Sequence, residues 1–247
     1  MKPECKDVRV ISNKEISKGI FRLAVECDDN FNAGQFYMLK AKGQTFLKRP
    51  ISVCEKEDSK LIFVYAVVGK GTEDISSLKE NDTISITGPH GNGFDIHKAY
   101  GKAAIVSGGI GIAPMLGLAK NLRNINKYEE IDLYSGFRDD IYLIDEMEKY
   151  VNSINISTDT GKNGVKGFVT DLLKPEEYDT VLCCGPEIMM KKVIDMCKAK
   201  NVKVYVSMEK HMACGIGACL VCTCKTKDGN KRACKDGPVF DGYDVEL

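Results

Sequence analysis

Ala103-Ala104-Ile105-Val106-Ser107-Gly108-Gly109-Ile110-Gly111-Ile112-Ala113-Pro114 reads as a buried strand that runs straight into a glycine-rich turn and then a helix. Gly108, Gly109 and Gly111 let backbone amides approach a pyrophosphate, and the start of the helix favours its negative charge. Pro114 suits the first helical turn, where its missing N–H costs nothing. Met115, Leu116, Leu118, Ala119 and Leu122 supply the buried face of that helix. The spacing departs from a strict G-x-G-x-x-G, so a tight strand-to-helix turn with no ligand is the alternative at this point.

The same grammar continues beyond the turn. Ile131 to Ser135, Ser153 to Ser157, Thr180 to Cys184 and Val202 to Ser207 read as further buried strands. Pro114 to Asn124 and Pro186 to Lys200 read as helices between them. Such alternation predicts an open parallel α/β nucleotide-binding sheet over residues 100–207. Its fourth strand ends in Cys183-Cys184-Gly185-Pro186, at the carboxyl edge where these sheets bind ligands. A small residue followed by glycine leaves room there for a flat ring against the backbone. After the second strand come Arg138, Asp139 and Asp140. An acid at that place binds a ribose 2′-hydroxyl and repels a 2′-phosphate, which favours NAD, whereas Arg138 argues for NADP.

Residues 1–99 have another texture. Val8 to Ile11, Ile20 to Val25, Gln35 to Lys40, Leu61 to Val68 and Thr83 to Gly88 are short strand-like runs between turn signals. With few helices among them, they predict a small antiparallel β-barrel. Within it, Arg49-Pro50-Ile51-Ser52 carries the most chemistry. The arginine fork suits a pyrophosphate, Ser52 offers a hydroxyl, and Pro50 is expected to hold a turn. Val64-Tyr65-Ala66 leads into a flexible turn with Gly71 and Thr72, whose amides and hydroxyl suit a phosphate. The plainer readings are a surface arginine for Arg49 and a helix N-cap for Thr72.

Residues 208–247 hold five of the chain's eleven cysteines: Cys214, Cys219, Cys222, Cys224 and Cys234. The opening C-x4-C-x2-C is the ligand spacing of a plant-type 2Fe-2S cluster, with the fourth thiolate supplied from further along. A cluster of that kind carries one electron at a time, so the chain is expected to move electrons. Gly215 and Gly217 let main-chain N–H groups approach the sulfurs. Structural zinc usually takes two separated C-x(2–4)-C knuckles, which this run fits poorly. Cys214, Cys219, Cys222 and Cys234 are the expected ligands, because Cys224 would alternate away from Cys222 in an extended stretch; the two still compete for one position. Little else in the segment forms a core, so the metal itself is expected to stabilise it. Cys5, Cys27, Cys54, Cys183, Cys184 and Cys197 are scattered and read mostly as small apolar fillers.

The 247 residues suffice for two compact domains and a small appended unit. Lysine plus arginine equals aspartate plus glutamate at 35 each, which gives no electrostatic case for a nucleic-acid or anionic-membrane partner. The charged start of the chain does not read as an export signal, and no apolar run approaches the length of a membrane-spanning helix. A reducing cytoplasm suits free thiolates. His90, His97 and His211 read as surface or structural histidines, with a supporting role beside the cluster open to His211.

Arg49-Pro50-Ile51-Ser52 in a barrel, with Gly108 to Pro114 and Cys184-Gly185-Pro186 in an α/β unit, resembles the ferredoxin–NADP reductase superfamily. The run from His211 through Cys222, with Arg232-Ala233-Cys234-Lys235-Asp236-Gly237-Pro238, narrows the resemblance to the electron-transfer subunits of bacterial class B dihydroorotate dehydrogenases. It covers essentially the full length. Oxygenase reductases built on the same modules usually carry a longer ferredoxin domain, whereas eleven residues separate Cys222 from Cys234 here. The resemblance implies FAD at Arg49, Pro50, Ile51, Ser52, Val64, Tyr65, Ala66, Gly71 and Thr72. It implies NAD at Gly108, Gly109, Gly111, Pro114, Cys184, Gly185 and Pro186. It also implies a heterotetramer with an FMN-containing catalytic subunit that oxidises dihydroorotate in pyrimidine synthesis, its electrons crossing the cluster and FAD to NAD⁺. No acid–base pair is expected, since the protein's share is positioning. Two rivals stay open: a reductase or electron-transfer subunit serving another redox partner, such as a ferredoxin-dependent transhydrogenase, and a zinc-stabilised binding module.

Overall fold

Alternating apolar residues close the first part of the chain into an antiparallel barrel. Strands β1 (Glu4–Ser17), β2 (Ile20–Glu26), β3 (Phe36–Lys40), β4 (Arg49–Glu57), β5 (Lys60–Ala66) and β6 (Thr83–His90) follow the order β1-β2-β5-β4-β3-β6, and β6 pairs back with β1. The structure is a computed structural model that describes residues 3–43, 45–97 and 101–247. Val10, Leu23, Tyr37, Leu39, Val53, Phe63 and Ile86 fill the barrel. Helix α1 (Lys70–Ser76) adds Ile75 to that core, and Asn13 Nδ2 donates to the Ile75 and Leu78 carbonyls at 2.9 and 3.1 Å.

Two expectations need correction here. Pro50 holds no turn; it sits inside β4 opposite Met38 of β3. So near the beginning of a strand, its missing N–H interrupts little of the ladder. Strand β5 ends at Ala66 rather than Val68, because the chain already bends there into α1.

The α/β part comprises β7 (Gly101–Gly108), α2 (Ile112–Ile125), β8 (Tyr128–Phe137), α3 (Ile144–Met147), β9 (Ser153–Thr158), β10 (Val165–Lys166), β11 (Thr180–Cys184), α4 (Glu187–Lys200) and β12 (Lys203–Ser207). A hairpin of β13 (Thr223–Thr226) and β14 (Gly229–Arg232) follows, then β15 (Val239–Asp241). Among the described residues the sheet order is β10-β9-β8-β7-β11-β12-β15. The five expected strands are present and parallel, with the short β10 parallel at one edge and β15 antiparallel to β12 at the other.

Helix α2 joins the two parts. Ile112, Met115 and Leu116 share one buried cluster with Cys54, Ile62 and Val64 of the barrel. A Cβ on Gly117 would stand 2.5 Å from the Cys54 carbonyl oxygen, so helix and strand meet backbone to backbone. Beside that contact, Lys120 Nζ and Arg22 Nη2 reach the Glu55 carboxylate at 3.6 and 3.8 Å. Burial raises the Glu55 pKa above the usual carboxylate range, Glu57 adds to it, and the two cations offset only part.

Gly117→Ala tests this junction. Alanine is the better helix former by about 1 kcal/mol, but overpacking against a main-chain oxygen costs about 1–3 kcal/mol. The expected outcome is a lower thermal midpoint by circular dichroism. An unchanged or higher midpoint would mean that α2 does not press on β4 as described.

Candidate functional site

Strands β4 and β5 and helix α1 bring Arg49, Gly71 and Thr72 together. The Arg49 guanidinium lies on the Gly71 Cα, where any side chain would collide with it. Its Nη1 donates to the Leu47 carbonyl at 2.8 Å. Thr72 is the third residue of α1, not its N-cap, which is Gly69. Its hydroxyl accepts from the Val68 and Gly69 N–H groups at 2.9 and 3.2 Å and donates to the Gly69 carbonyl at 2.8 Å. Thr72 therefore shapes the turn. On β5, alternation sends Val64 toward α2 and Tyr65 into the barrel, where its ring stacks with Phe21 at 5.9 Å. Tyr65 thus buries its ring in the barrel, on the opposite side of β5 from Val64. Pro50 and Ser52 pair across β3 with Met38 and Phe36, while Ile51 packs against the barrel core.

At the carboxyl edge of the parallel sheet, Ser207, Cys184, Ser107 and Ser135 stand in register across four strands. Ser107 and Ser135 share a hydrogen bond of 2.8 Å. The loops after β7 and β11 interlock: a Cβ on Gly108 would lie 2.8 Å from both Pro186 Cδ and Met189 Sδ, and one on Gly111 would strike the Cys184 carbonyl. Gly108, Gly111, Cys184, Gly185 and Pro186 are thereby gathered, and Pro114 is buried in the first turn of α2. Gly109, at φ +52°, presents its open side to space. Burial pushes the Cys184 thiol well up and the Glu209 charge adds to it, so Cys184 is a neutral filler rather than a nucleophile. Past the end of β8, Asp139 accepts from the Thr160 hydroxyl at 2.5 Å, and its carbonyl accepts from Asn163 Nδ2 at 3.0 Å.

The cysteine loop wraps sulfur in main-chain donors. Cys219 N–H donates to Cys214 Sγ at 3.4 Å, and Gly217 N–H to Cys234 Sγ at 3.1 Å. Burial pushes the Cys214 thiol up, but the amides of Cys219, Ile216 and Ala218 outweigh it and bring it down to about 6. Cys234 goes the other way, raised by burial and by Cys222 beside it. Cys219 adjoins Cys214, and Cys222 adjoins Cys234, which also feels the charge of Cys214. Among the described residues no three His, Cys, Asp or Glu side chains surround one point closely enough to hold a single ion. Paired sulfurs bathed in N–H donors fit a two-iron cluster, whose thiolates and sulfides are stabilised by such bonds. Cys224 lies within β13, its sulfur 3.8 Å from the Cys222 carbonyl, and burial pushes its thiol up to about 11.

Three features escaped the sequence. His90, read as a surface or structural residue, is buried beneath Gly215, and burial lowers its pKa. Asn92 N–H donates to the Gly237 carbonyl at 2.6 Å, its Nδ2 to the Asp236 carbonyl at 2.9 Å, and its Oδ1 accepts from Val239 N–H at 3.3 Å. Cys5 is exposed rather than a filler, with Lys48 Nζ 3.3 Å from its sulfur. Contacts between segments 144 and 147 positions apart leave no local signal.

Residues 209–246 match the family described as the iron-sulfur cluster binding domain of dihydroorotate dehydrogenase B, and residues 105–195 match the oxidoreductase NAD-binding domain. A relative from Clostridium perfringens strain 13, named dihydroorotate dehydrogenase B (NAD(+)), electron transfer subunit, is 63% identical over 239 residues, or 97% of each chain. The chain belongs to the electron-transfer subunits of dihydroorotate dehydrogenase B. A Listeria monocytogenes serovar 1/2a subunit of that name is 40% identical over 255 residues and 98% of each chain. Among solved structures, the NADH-dependent reduced ferredoxin-NADP oxidoreductase superposes with a TM-score of 0.87 at 28% identity, over 97% of this chain and 89% of that one. A flavohemoglobin from Malassezia yamatoensis, at 16% identity and TM-score 0.69 over 82% of this chain and 59% of its own, shares the fold.

Paired serine variants separate the competing cysteines. Cys222→Ser is expected to lose iron and visible absorption, and Cys224→Ser to keep both, measured as iron per chain. The reverse pattern would exchange the two roles.

Proposed function

We propose that this chain is the electron outlet of a two-component dihydroorotate dehydrogenase, carrying electrons from a partner catalytic subunit that holds FMN to NAD⁺. The observation that carries this reading is a juxtaposition. The cysteine loop lies on Met38 of β3 and His90 of β6, and β3 pairs directly with the strand bearing Arg49 to Ser52. When bound, FAD supplies the exchange between one-electron iron–sulfur and two-electron nicotinamide chemistry.

The chain's own residues hold and orient. Cys214, Cys219, Cys222 and Cys234 ligate the 2Fe-2S cluster, favoured by the two sulfur pairs and the N–H donors around them. Arg49 clamps the FAD pyrophosphate against Gly71, while Pro50, Ile51, Ser52, Val64, Ala66 and the main chain of Tyr65 and Thr72 shape the flavin bed. Gly108, Gly109, Gly111 and Pro114 receive the NAD pyrophosphate at the start of α2. Cys184, Gly185 and Pro186 leave a flat floor for its ring, and Asp139 at the end of β8 selects NAD over NADP. The units run 1–99, 100–207 and 208–247 for FAD, NAD and cluster. The assembly is a cytoplasmic heterotetramer; no helix among the described residues is long and apolar enough to cross a membrane.

Reconstitution tests the whole reading. Orotate formation with NAD⁺ is expected only when this chain and an FMN-containing dihydroorotate oxidase are mixed, followed by NADH absorbance. Equal NAD⁺ reduction by the oxidase alone would defeat it. For the cradle, Arg49→Ala should weaken FAD binding roughly ten- to a hundredfold, since hydrogen bonds to charged groups contribute about 1.5–3 kcal/mol. Undiminished flavin after gel filtration would remove Arg49 from the site.

A further inference from the structure

The loop that follows Cys214 rests on the barrel through two side chains. A Cβ on Gly215 would lie 3.0 Å from Met38 Cγ, 3.3 Å from His90 Cε1 and 3.4 Å from His90 Nε2. At φ +72°, Gly215 occupies the left-handed region that glycine enters freely, so the loop lies flat on the imidazole. His90 is the last residue of β6 and is only 2% exposed. Its ring stacks on Phe36 with centroids 5.4 Å apart and planes 24° apart, which fixes its orientation. Asn92, two residues on, ties residues 236, 237 and 239 to the same segment, which fixes its spacing from the loop. Nε2 is left buried beside the loop with no hydrogen bond of good geometry among the described residues, although the Gly215 main chain lies near enough to act on the ring.

A buried ring nitrogen without a partner leaves its desolvation uncompensated. The loop above it is the one whose amides already donate to Cys214 and Cys234. Hydrogen bonds to the sulfurs of an iron–sulfur cluster stabilise the extra negative charge of its reduced state and so raise its potential. With its proton on Nε2, the ring would give the neighbourhood one more donor than the main chain alone supplies.

We propose that His90 is a positioning residue for the iron–sulfur centre, with Nε2–H donating a hydrogen bond to a cluster sulfur or to the Cys214 thiolate. This rests on the cluster reading given above. Ser52 pairs with Phe36, and Phe36 with His90, so one rung of the sheet runs from the flavin strand to the ring under the cysteine loop. His90 thus acts on the side of the cluster that faces the flavin strand, where the electron leaves.

Two variants of the FAD- and iron-loaded chain test this in an EPR-monitored redox titration. His90→Phe keeps a ring on Phe36 and removes the nitrogen; His90→Gln keeps a donor. The Phe variant is expected to shift the reduced-to-oxidised ratio about tenfold toward oxidised at a fixed potential, a 59 mV lower midpoint for a one-electron couple, and the Gln variant to recover most of it. Pulsed EPR of 15N-histidine protein in a His211→Asn background should show a nitrogen coupling to the reduced cluster. An unshifted midpoint in His90→Phe, or equal shifts in both variants, overturns the donor role. Should the Phe variant fail to load iron, absence of the nitrogen coupling in the parent protein overturns it independently. A parent protein that binds iron without a two-iron EPR signal overturns the cluster reading instead, and the proposal with it.

Discussion

Helix α2 and strand β4 meet backbone to backbone at Gly117 and Cys54, and the working geometry hangs on that contact. Each element begins at a loop proposed above to hold a nucleotide. The helix grows out of the turn from Gly108 to Pro114, and the strand starts at Arg49. The offset between the two nucleotide loops is therefore set by two stiff elements pressed together, not by a linker. Close-packed interiors resist even small displacements, so a hydride donor and acceptor held this way keep their alignment.

One residue type serves opposite ends in this chain, and its surroundings decide which. Cys214 sits among main-chain N–H groups that bring its thiol down to about 6. Cys184 and Cys183 lie in the sheet interior, where burial holds the proton on sulfur. Spacing distinguished the two classes in the sequence because tight sulfur clustering needs short separations. Cys5 broke the pattern, since nothing local reveals that β1 and β6 bring it beside Lys48 at the surface.

The parallel strands were legible because burial on both faces leaves unbroken apolar runs. Strand β4 was not read as a strand. Its opening Arg49-Pro50 resembles a turn, and a register shift between Val53 and Glu55 interrupts the alternation that marks a barrel strand. The sequence singled out Arg49, Gly71 and Thr72, which the structure brings together, but not which way the side chains of β5 point, and Tyr65 turned out to face the barrel. The choice of Cys222 over Cys224 rested on strand alternation, but β13 begins at Thr223, with Cys224 inside it and Cys222 before it, so alternation does not relate the two. His90 and Asn92 carried no signal at all, because their meaning comes from a distant segment folding over them.

The last strand, β15, lies beyond the final cysteine yet belongs to the nucleotide sheet, where it covers the outer edge of β12. An uncovered edge presents a row of unpaired N–H and C=O groups that recruits strands from other chains. Residues 239–241 therefore act as a seal against self-association as well as a tether. The seal is drawn from the part of the chain with least apolar core of its own. Only four residues separate Cys234 from β15, so the cysteine segment and the sheet margin are joined by a short tether.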